Sequence, residues 1–141
     1  MKPKWMLMII AAALALAACA PLAGSKSEQA EMEYGEGATV EKIDLLALET
    51  FPVKINAALS GYLSDGCTEI ERVEQERSEN VFELKVITRR PKDAICTMQL
   101  APFEESVPLD VYGLPAGEYV VRVGDVETAF TLNADNILKS E

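Results

Sequence analysis

The feature that most constrains the fold is a series of short stretches, from Val40 onward, in which apolar and polar residues alternate. Such alternation puts every second side chain on one face of an extended strand, so that one face is buried and the other is solvated. The apolar positions are Val53-Ile55-Ala57-Leu59, Phe82-Leu84-Val86, Val107-Leu109-Val111, Tyr119-Val121-Val123 and Phe130-Leu132. Turn residues such as Ser64-Asp65-Gly66 and Gly124-Asp125 separate the stretches at intervals of roughly ten residues. The pattern predicts an all-β sandwich of about seven strands. Only the stretch from Ile43 to Glu49 is ambiguous between a helical turn and a strand.

The segment from Leu109 to Gly124 is more specific than the alternation alone. It reads LDVYGLPAGEYVVRVG and resembles the last strands of bacterial immunoglobulin-like domains, in which an L-P-A-G-x-Y turn introduces the penultimate strand. The resemblance implies an immunoglobulin-like β-sandwich. The tryptophan of antibody-type domains is missing, because Trp5 is the single tryptophan of the chain. The resemblance therefore implies an architecture and no particular function.

The N-terminus has the layout of a secretory signal peptide. Lys2 and Lys4 precede an uninterrupted apolar run from Trp5 to Leu16, and small residues follow. The four residues L-A-A-C that end at Cys19 resemble the lipobox of bacterial lipoproteins. The resemblance implies that residues 1–18 are removed and that the Cys19 thiol carries a lipid such as palmitate.

Two details bear on where the lipid anchor lies. Ala20 follows Cys19, where the resemblance would place Asp for retention in the inner membrane, so the outer membrane is favoured over the cell membrane if the organism has both. The alternative is an uncleaved transmembrane anchor, but Pro21 interrupts the run at about the length a spanning helix needs. Under either interpretation the rest of the chain is tethered and extracytoplasmic.

Composition divides the remainder into two parts. Residues 19–38 begin with Cys19, whose lipidation the lipobox resemblance implies, and continue with a stretch rich in Gly, Ser and Glu that predicts a flexible linker. Residues 39–141 carry the alternating pattern and form the expected β-sandwich domain.

The residue counts exclude several classes of function. The chain has no histidine, three cysteines and no glycine-rich phosphate loop, which argues against a hydrolase triad, a zinc site or a nucleotide cofactor. Its formal charge of −10 argues against nucleic acid as a partner. Glu104 and Glu105 are candidates for paired catalytic carboxylates, but a small sandwich offers no obvious cleft for a substrate. We therefore expect a protein that is not an enzyme and that needs no metal or cofactor.

Once Cys19 is lipidated, Cys67 and Cys96 remain. An even pair of cysteines in an exported chain predicts a disulfide bond. A hairpin that turns near Ser78-Glu79-Asn80 would bring the two together at its open end. A redox-active or metal-binding thiol pair is the alternative, but the C-x-x-C spacing is absent.

Arg89, Arg90 and Lys92 form the only basic cluster of this acidic chain. They follow a predicted strand and precede Cys96, which predicts a loop held by the disulfide and able to bind an acidic protein or a phosphate-bearing glycan. The alternative is a turn whose cations balance nearby glutamates. The charged stretch from Glu69 to Glu79 is interpreted in the same way, as a solvated strand face rather than a calcium site.

These observations favour a membrane-anchored, non-enzymatic binding or structural module of the cell envelope, whose partner is the membrane and an envelope protein or glycan. A proteinase inhibitor of immunoglobulin-like fold is the alternative, with the Arg90-Pro91 loop as its blocking element. The motif set of the chagasin-like inhibitors is otherwise missing.

Overall fold

The computed structural model describes residues 30–139, and all regular secondary structure in that range is β-strand. The strands are β1 (Met32–Gly35), β2 (Ala38–Leu48), β3 (Lys54–Leu63), β4 (Glu69–Ser78), β5 (Val81–Pro91), β6 (Ala101–Pro108), β7 (Gly117–Val123) and β8 (Val126–Leu132). The prediction of an all-β sandwich is confirmed, with eight strands instead of about seven. The ambiguous segment from Ile43 to Glu49 is a strand, the second half of β2. Over the described range no helix meets the length and hydropathy that a membrane span requires.

The strands form two sheets. One sheet has the order β4-β5-β7-β8, with β1 beside the C-terminal end of β5, and the other has the order β2-β3-β6. Alternate residues of β3, β5 and β7 point between the sheets, because side chains of an extended strand alternate between its faces. The core therefore consists of the positions that the alternating pattern marks, including Ile55, Leu59, Phe82, Leu84 and Val121.

Three aromatic rings fill the centre of the core. Tyr119 and Phe130, on neighbouring strands of one sheet, are stacked with ring centroids 5.4 Å apart, and Phe82 meets both rings at 6.0–6.2 Å. The Tyr119 hydroxyl donates a hydrogen bond of 2.9 Å to the Pro115 carbonyl, four residues upstream. A hydrogen bond of this kind also occurs in the tyrosine corner of immunoglobulin-type sandwiches, and here it fixes the entry into β7. The pairing of β5 with β7 is parallel, whereas immunoglobulin sheets are antiparallel throughout.

The predicted linker is too long at its C-terminal end. Residues 32–35 form β1, which pairs with residues 88–91 of β5. The Thr88 hydroxyl holds the connection that follows, because it donates to the Gly35 carbonyl at 2.9 Å and accepts from the Gly37 N–H at 2.8 Å. Glu36 adds an ion pair with Lys85. The folded domain therefore begins near Glu31, inside the segment predicted as linker.

The outer edge of β6 is poor in hydrogen-bond donors. The Leu109 N–H donates to the Ile55 carbonyl of β3, so the odd-numbered residues around it direct their N–H groups toward β3 and the even-numbered ones direct theirs outward. Pro102 and Pro108 occupy two of the outward positions, where proline costs no ladder hydrogen bond. β6 is thus an edge strand of its sheet.

The two ends of the sandwich differ in how their loops are held. We call the end formed by residues 64–68 and 92–100 the loop pole. The opposite end, formed by residues 49–53, 109–116 and 133–138, is the clamp pole, after Asn136. The Asn136 side chain is buried, accepts from the Val53 N–H at 2.6 Å and donates to the carbonyls of Val53 and Val111 at 2.9 Å each.

Candidate functional site

The loop of residues 92–100 is held at its centre by covalent and polar contacts. Cys96 and Cys67 form a disulfide bond with Cα atoms 5.6 Å apart, which confirms the predicted pair. The Gly66 N–H donates to the Thr97 carbonyl at 3.1 Å. A Cβ atom at Gly66 would collide with the Thr97 hydroxyl, so glycine permits this close approach. The loop therefore lies against the 64–68 turn in a fixed position.

Asp65 organises the turn beneath the loop. Its Oδ1 atom accepts three hydrogen bonds of 2.9 Å, from the N–H groups of Cys67 and Thr68 and from the Thr68 hydroxyl. Its Oδ2 atom lies 3.4 Å from Nη1 of Arg90. The Cys67 N–H foremost, then the Thr68 hydroxyl and the Arg90 charge, hold the pKa of Asp65 below its ordinary value of 3.8. Asp65 is thus an ionised structural group that caps the turn.

The loop presents aliphatic side chains to solvent. Ile95 and Met98, on either side of the disulfide, are almost completely exposed, and Leu100 is 60% exposed. A folded chain ordinarily turns such side chains inward, and contiguous exposed apolar surface marks sites of interaction. Because the disulfide and the Gly66–Thr97 hydrogen bond fix the backbone between them, these side chains stay outward. This is the strongest candidate for a binding surface among the described residues.

The basic cluster does not form the free loop that the sequence predicts. Arg89 and Arg90 lie within β5, and only Lys92 follows the strand. Each cation is paired with carboxylates: Arg89 with Glu69 and Glu71 at 3.1–3.2 Å, Arg90 with Asp65, and Lys92 with Glu31 at 3.1 Å. The physical reason is that β4 and the segment before β1 flank this end of β5 and bring acidic side chains to it. The alternative interpretation of balanced charges therefore describes these residues better.

The carboxylates considered in the sequence do not converge on a site. Glu104 and Glu105 are consecutive on β6, so their side chains point to opposite faces of the sheet and cannot flank one bond. In the part of the chain that the structure describes, one group of residues is close enough to hold a metal ion: Asp65, Cys67 and Cys96. Both of its sulfur atoms are bonded to each other in the disulfide, so they are not available as thiolate ligands.

A shallow cleft of about 300 Å³ lies beside β5, between the β1–β2 connection and the β7–β8 turn. Its charged side chains are Glu36, Lys85 and Asp125. The Lys85 ammonium donates a hydrogen bond to the Glu36 carboxylate, and this contact raises the pKa of Lys85 above its usual value. Lys85 is thus a protonated partner of Glu36 and is unsuited to act as a base or nucleophile.

Sequence reasoning missed the exposed aliphatic residues of the loop. Ile95 and Met98 lie in the segment KDAICTMQL, where no alternation marks a strand. Their proximity to Cys96 is the signal that could have found them, since a disulfide-bonded loop is fixed enough to hold apolar side chains in water. Cys19 lies outside the described residues.

Comparison with known proteins places the sandwich in a family. The sequence model of the ORF11 beta-sandwich domain matches residues 57–132. The "uncharacterized 10.2 kDa protein in HgiCIIM 5′ region" of Herpetosiphon aurantiacus is 33% identical over 93 residues, which cover 66% of this chain and 98% of the relative. The corresponding 10.2 kDa protein in the HgiBIM 5′ region of the same organism is 36% identical over 83 residues, 59% of this chain and 100% of the relative. No solved structure matches the chain significantly.

Proposed function

The chain belongs to the ORF11 beta-sandwich family, and from that premise we propose that it is a membrane-anchored, extracytoplasmic lipoprotein. Its sandwich acts as a non-enzymatic binding module of the cell envelope. The hydrogen bond from the Tyr119 hydroxyl to the Pro115 carbonyl, of the kind found in a tyrosine corner, supports the immunoglobulin-like character of that sandwich. In such domains loops at one end of a rigid scaffold carry the binding residues.

The observation that carries the proposal is the exposure of Ile95 and Met98 on a loop fixed by a disulfide. A fixed loop loses little conformational entropy on binding, and burying its aliphatic side chains is favourable. These observations support a binding surface at Ile95, Met98 and Leu100 rather than at the basic cluster, whose charges are paired within the domain.

The lipid anchor is supported by the sequence of the leader and by its distance from the domain. Cys19 precedes Met32, the first residue of β1, by 13 positions, a spacing suited to a short tether. The disulfide is consistent with an oxidising compartment outside the cytoplasm.

Metabolic labelling with palmitate in a bacterial host tests the anchor. We expect the wild type and a Cys67→Ser variant to carry the label and to sediment with membranes, and a Cys19→Ser variant to lose the label. The Cys67→Ser variant is the matched control, because it removes a cysteine without touching the lipobox. Equal labelling of the Cys19→Ser variant and the wild type would show that Cys19 is not the site of lipidation.

A proteinase inhibitor remains the second candidate, and the same loop favours it. Ala94 to Met98 run without regular secondary structure around the disulfide, a form that could occupy a protease cleft. Arg90 cannot be the blocking residue of this loop, because it lies in β5 and is paired with Asp65. An inhibitor would abolish the activity of some protease at stoichiometric amounts, and an Ile95→Asp variant would relieve that inhibition. A panel of serine, cysteine and metalloproteases that all keep full activity would eliminate this candidate.

A further inference from the structure

The start of the folded domain and the disulfide-bonded loop lie at the same pole. The Lys92 N–H donates to the Glu31 carbonyl at 2.8 Å, and Met32 pairs with Pro91 at the end of β5. The described part of the chain therefore begins beside residues 92–100. An anchor at the N-terminus tethers the loop pole and leaves the clamp pole on the far side of the sandwich.

The tether is short. Twelve residue steps separate Cys19 from Glu31, and a fully extended chain of that length spans at most about 43 Å. A tether of this length keeps the loop at high effective concentration near the surface that holds the anchor. An uncleaved leader would tether the loop in the same way, because the apolar run from Trp5 to Leu16 precedes the same segment.

The chemistry of the loop pole suits an apolar contact with lipid. Ile95, Met98 and Leu100 expose aliphatic side chains that the fixed backbone cannot turn inward. The neighbouring cations Arg90 and Lys92 are neutralised by carboxylates of the domain itself. The pole thus offers no free basic patch for anionic headgroups, and its attraction to a bilayer comes from apolar burial.

We propose that Ile95, Met98 and Leu100 insert into the headgroup and acyl boundary of the membrane that holds the anchor, so that the sandwich rests on the bilayer with its loop pole down. The inference rests on the proposed anchoring and names the partner of the same binding surface: a lipid surface. A protein with an apolar pocket is the competing partner, and the position of the tether favours the lipid.

Tryptophan placed on each pole tests the proposal. Trp5, the single tryptophan of the chain, leaves with the leader on cleavage, and Trp5→Phe removes it from any uncleaved protein. Either Ile95→Trp or Tyr112→Trp is then introduced as the reporter. Tyr112 is the matched control, because it is an exposed aromatic residue, 58% accessible, on the clamp pole. The purified proteins are reconstituted into phosphatidylcholine vesicles whose acyl chains carry bromine, which quenches tryptophan on contact.

We expect the emission of the I95W variant to shift to the blue and to be quenched at least twofold more than that of the Y112W variant. Because the contact is apolar, the difference should persist at high salt. A Met98→Trp variant provides a second readout from the same loop, and both loop positions are exposed enough for the substitutions not to disturb folding.

The other outcomes separate the insertion of the loop, the anchoring of the chain and the nature of the partner. Equal quenching of the two poles in chains that float with the vesicles overturns the insertion of the loop and leaves the anchoring intact. Failure to float with the vesicles overturns the anchoring together with the inference. A blue shift of I95W in native envelope membranes, but not in pure lipid, assigns the loop to a protein pocket and overturns the lipid contact.

Discussion

The two poles of the sandwich hold their irregular segments in place with different kinds of side chain. Each has an irregular segment outside the strand ladders, and in each a buried polar side chain hydrogen-bonds the backbone. At the clamp pole the side chain is the neutral amide of Asn136, which uses its oxygen and its nitrogen on the backbone of Val53 and Val111. At the loop pole it is the carboxylate of Asp65, assisted by a disulfide and by Arg90.

The difference determines which conditions each pole can sense. An amide does not titrate and is not reduced, so the contacts of Asn136 should respond to neither acid nor reductant. At the loop pole the Asp65 carboxylate responds to acid, and the disulfide responds to reductant. The pole that presents Ile95 and Met98, the most exposed of the large apolar side chains, is therefore the one whose conformation depends on pH and redox state, and four predictions test this contrast.

Replacing Asn136 by alanine should have the largest effect. The change leaves the Val53 N–H and two buried carbonyls without partners, at about 1–3 kcal/mol for each unpaired group. We expect a loss of about 3–5 kcal/mol in the free energy of unfolding, measured by urea denaturation. Asn80→Ala is the control, because Asn80 is exposed and donates one hydrogen bond to the Glu118 carbonyl, so it should cost less than about 1 kcal/mol. Similar losses for the two variants would contradict the role of the clamp.

Removing the disulfide should come next. Cys67 and Cys96 are 29 positions apart, and closing a loop of that length stabilises the folded state by about 3–4 kcal/mol in the chain-entropy model. We expect a Cys67→Ser, Cys96→Ser double variant to lose about 3–4 kcal/mol in the free energy of unfolding, measured by urea denaturation. Hydrogen exchange sharpens the contrast: protection should fall first at the Gly66 N–H, which bonds to Thr97, and last at the Val53 N–H. Uniform loss of protection at both would show that the poles do not open separately.

Lowering the pH should weaken the contribution of Asp65 to stability and leave that of Asn136 unchanged. The pKa of Asp65 is lower in the folded chain than its ordinary 3.8, so the group stabilises the folded state above that value. This contribution is lost as the pH falls from 3.8 through the folded pKa. We expect an Asp65→Asn variant to be less stable than the wild type at pH 7, with a difference that shrinks below pH 4. Urea midpoints at a series of pH values measure it, and a difference independent of pH would refute the assignment.

The smallest effect should come from Lys92→Ala. Its ion pair with Glu31 is exposed on both sides, and such pairs contribute less than about 1 kcal/mol. We expect a change within about 0.5 kcal/mol in urea denaturation. A larger loss would indicate that this pair, and not the β1–β5 ladder, holds the start of the domain.

The core could be predicted because the alternation that marks its residues lies within single strands of the sequence. Alternation at Phe82, Leu84 and Val86 specifies which face of β5 is buried without knowledge of any partner strand. β1 could not be predicted, since its four residues look like a polar linker and its order depends on Thr88, more than 50 positions away along the chain. The first half of β6 was missed for a related reason: Pro102 and Glu104 are tolerated there because they lie at an edge.

The candidate site was predictable only in part. The pairing of Cys67 with Cys96 followed from parity of cysteines in an exported chain. The basic cluster was conspicuous, but its partners Glu31, Asp65 and Glu69 lie 20 or more positions away, and sequence alone does not show that they neutralise it. Asn136 gave no signal, because the stretch Asn-Ala-Asp-Asn has the composition of an ordinary turn.

The two prolines of β6 have a consequence for a protein crowded on a membrane. Copies held in one plane meet edge to edge far more often than copies in solution, and unprotected edge strands can pair with one another and aggregate. With Pro102 and Pro108 at two outward positions, a neighbouring strand would find no continuous row of N–H groups to join. In a chain anchored as proposed, the prolines would let many copies share a small area of bilayer without polymerising through this edge.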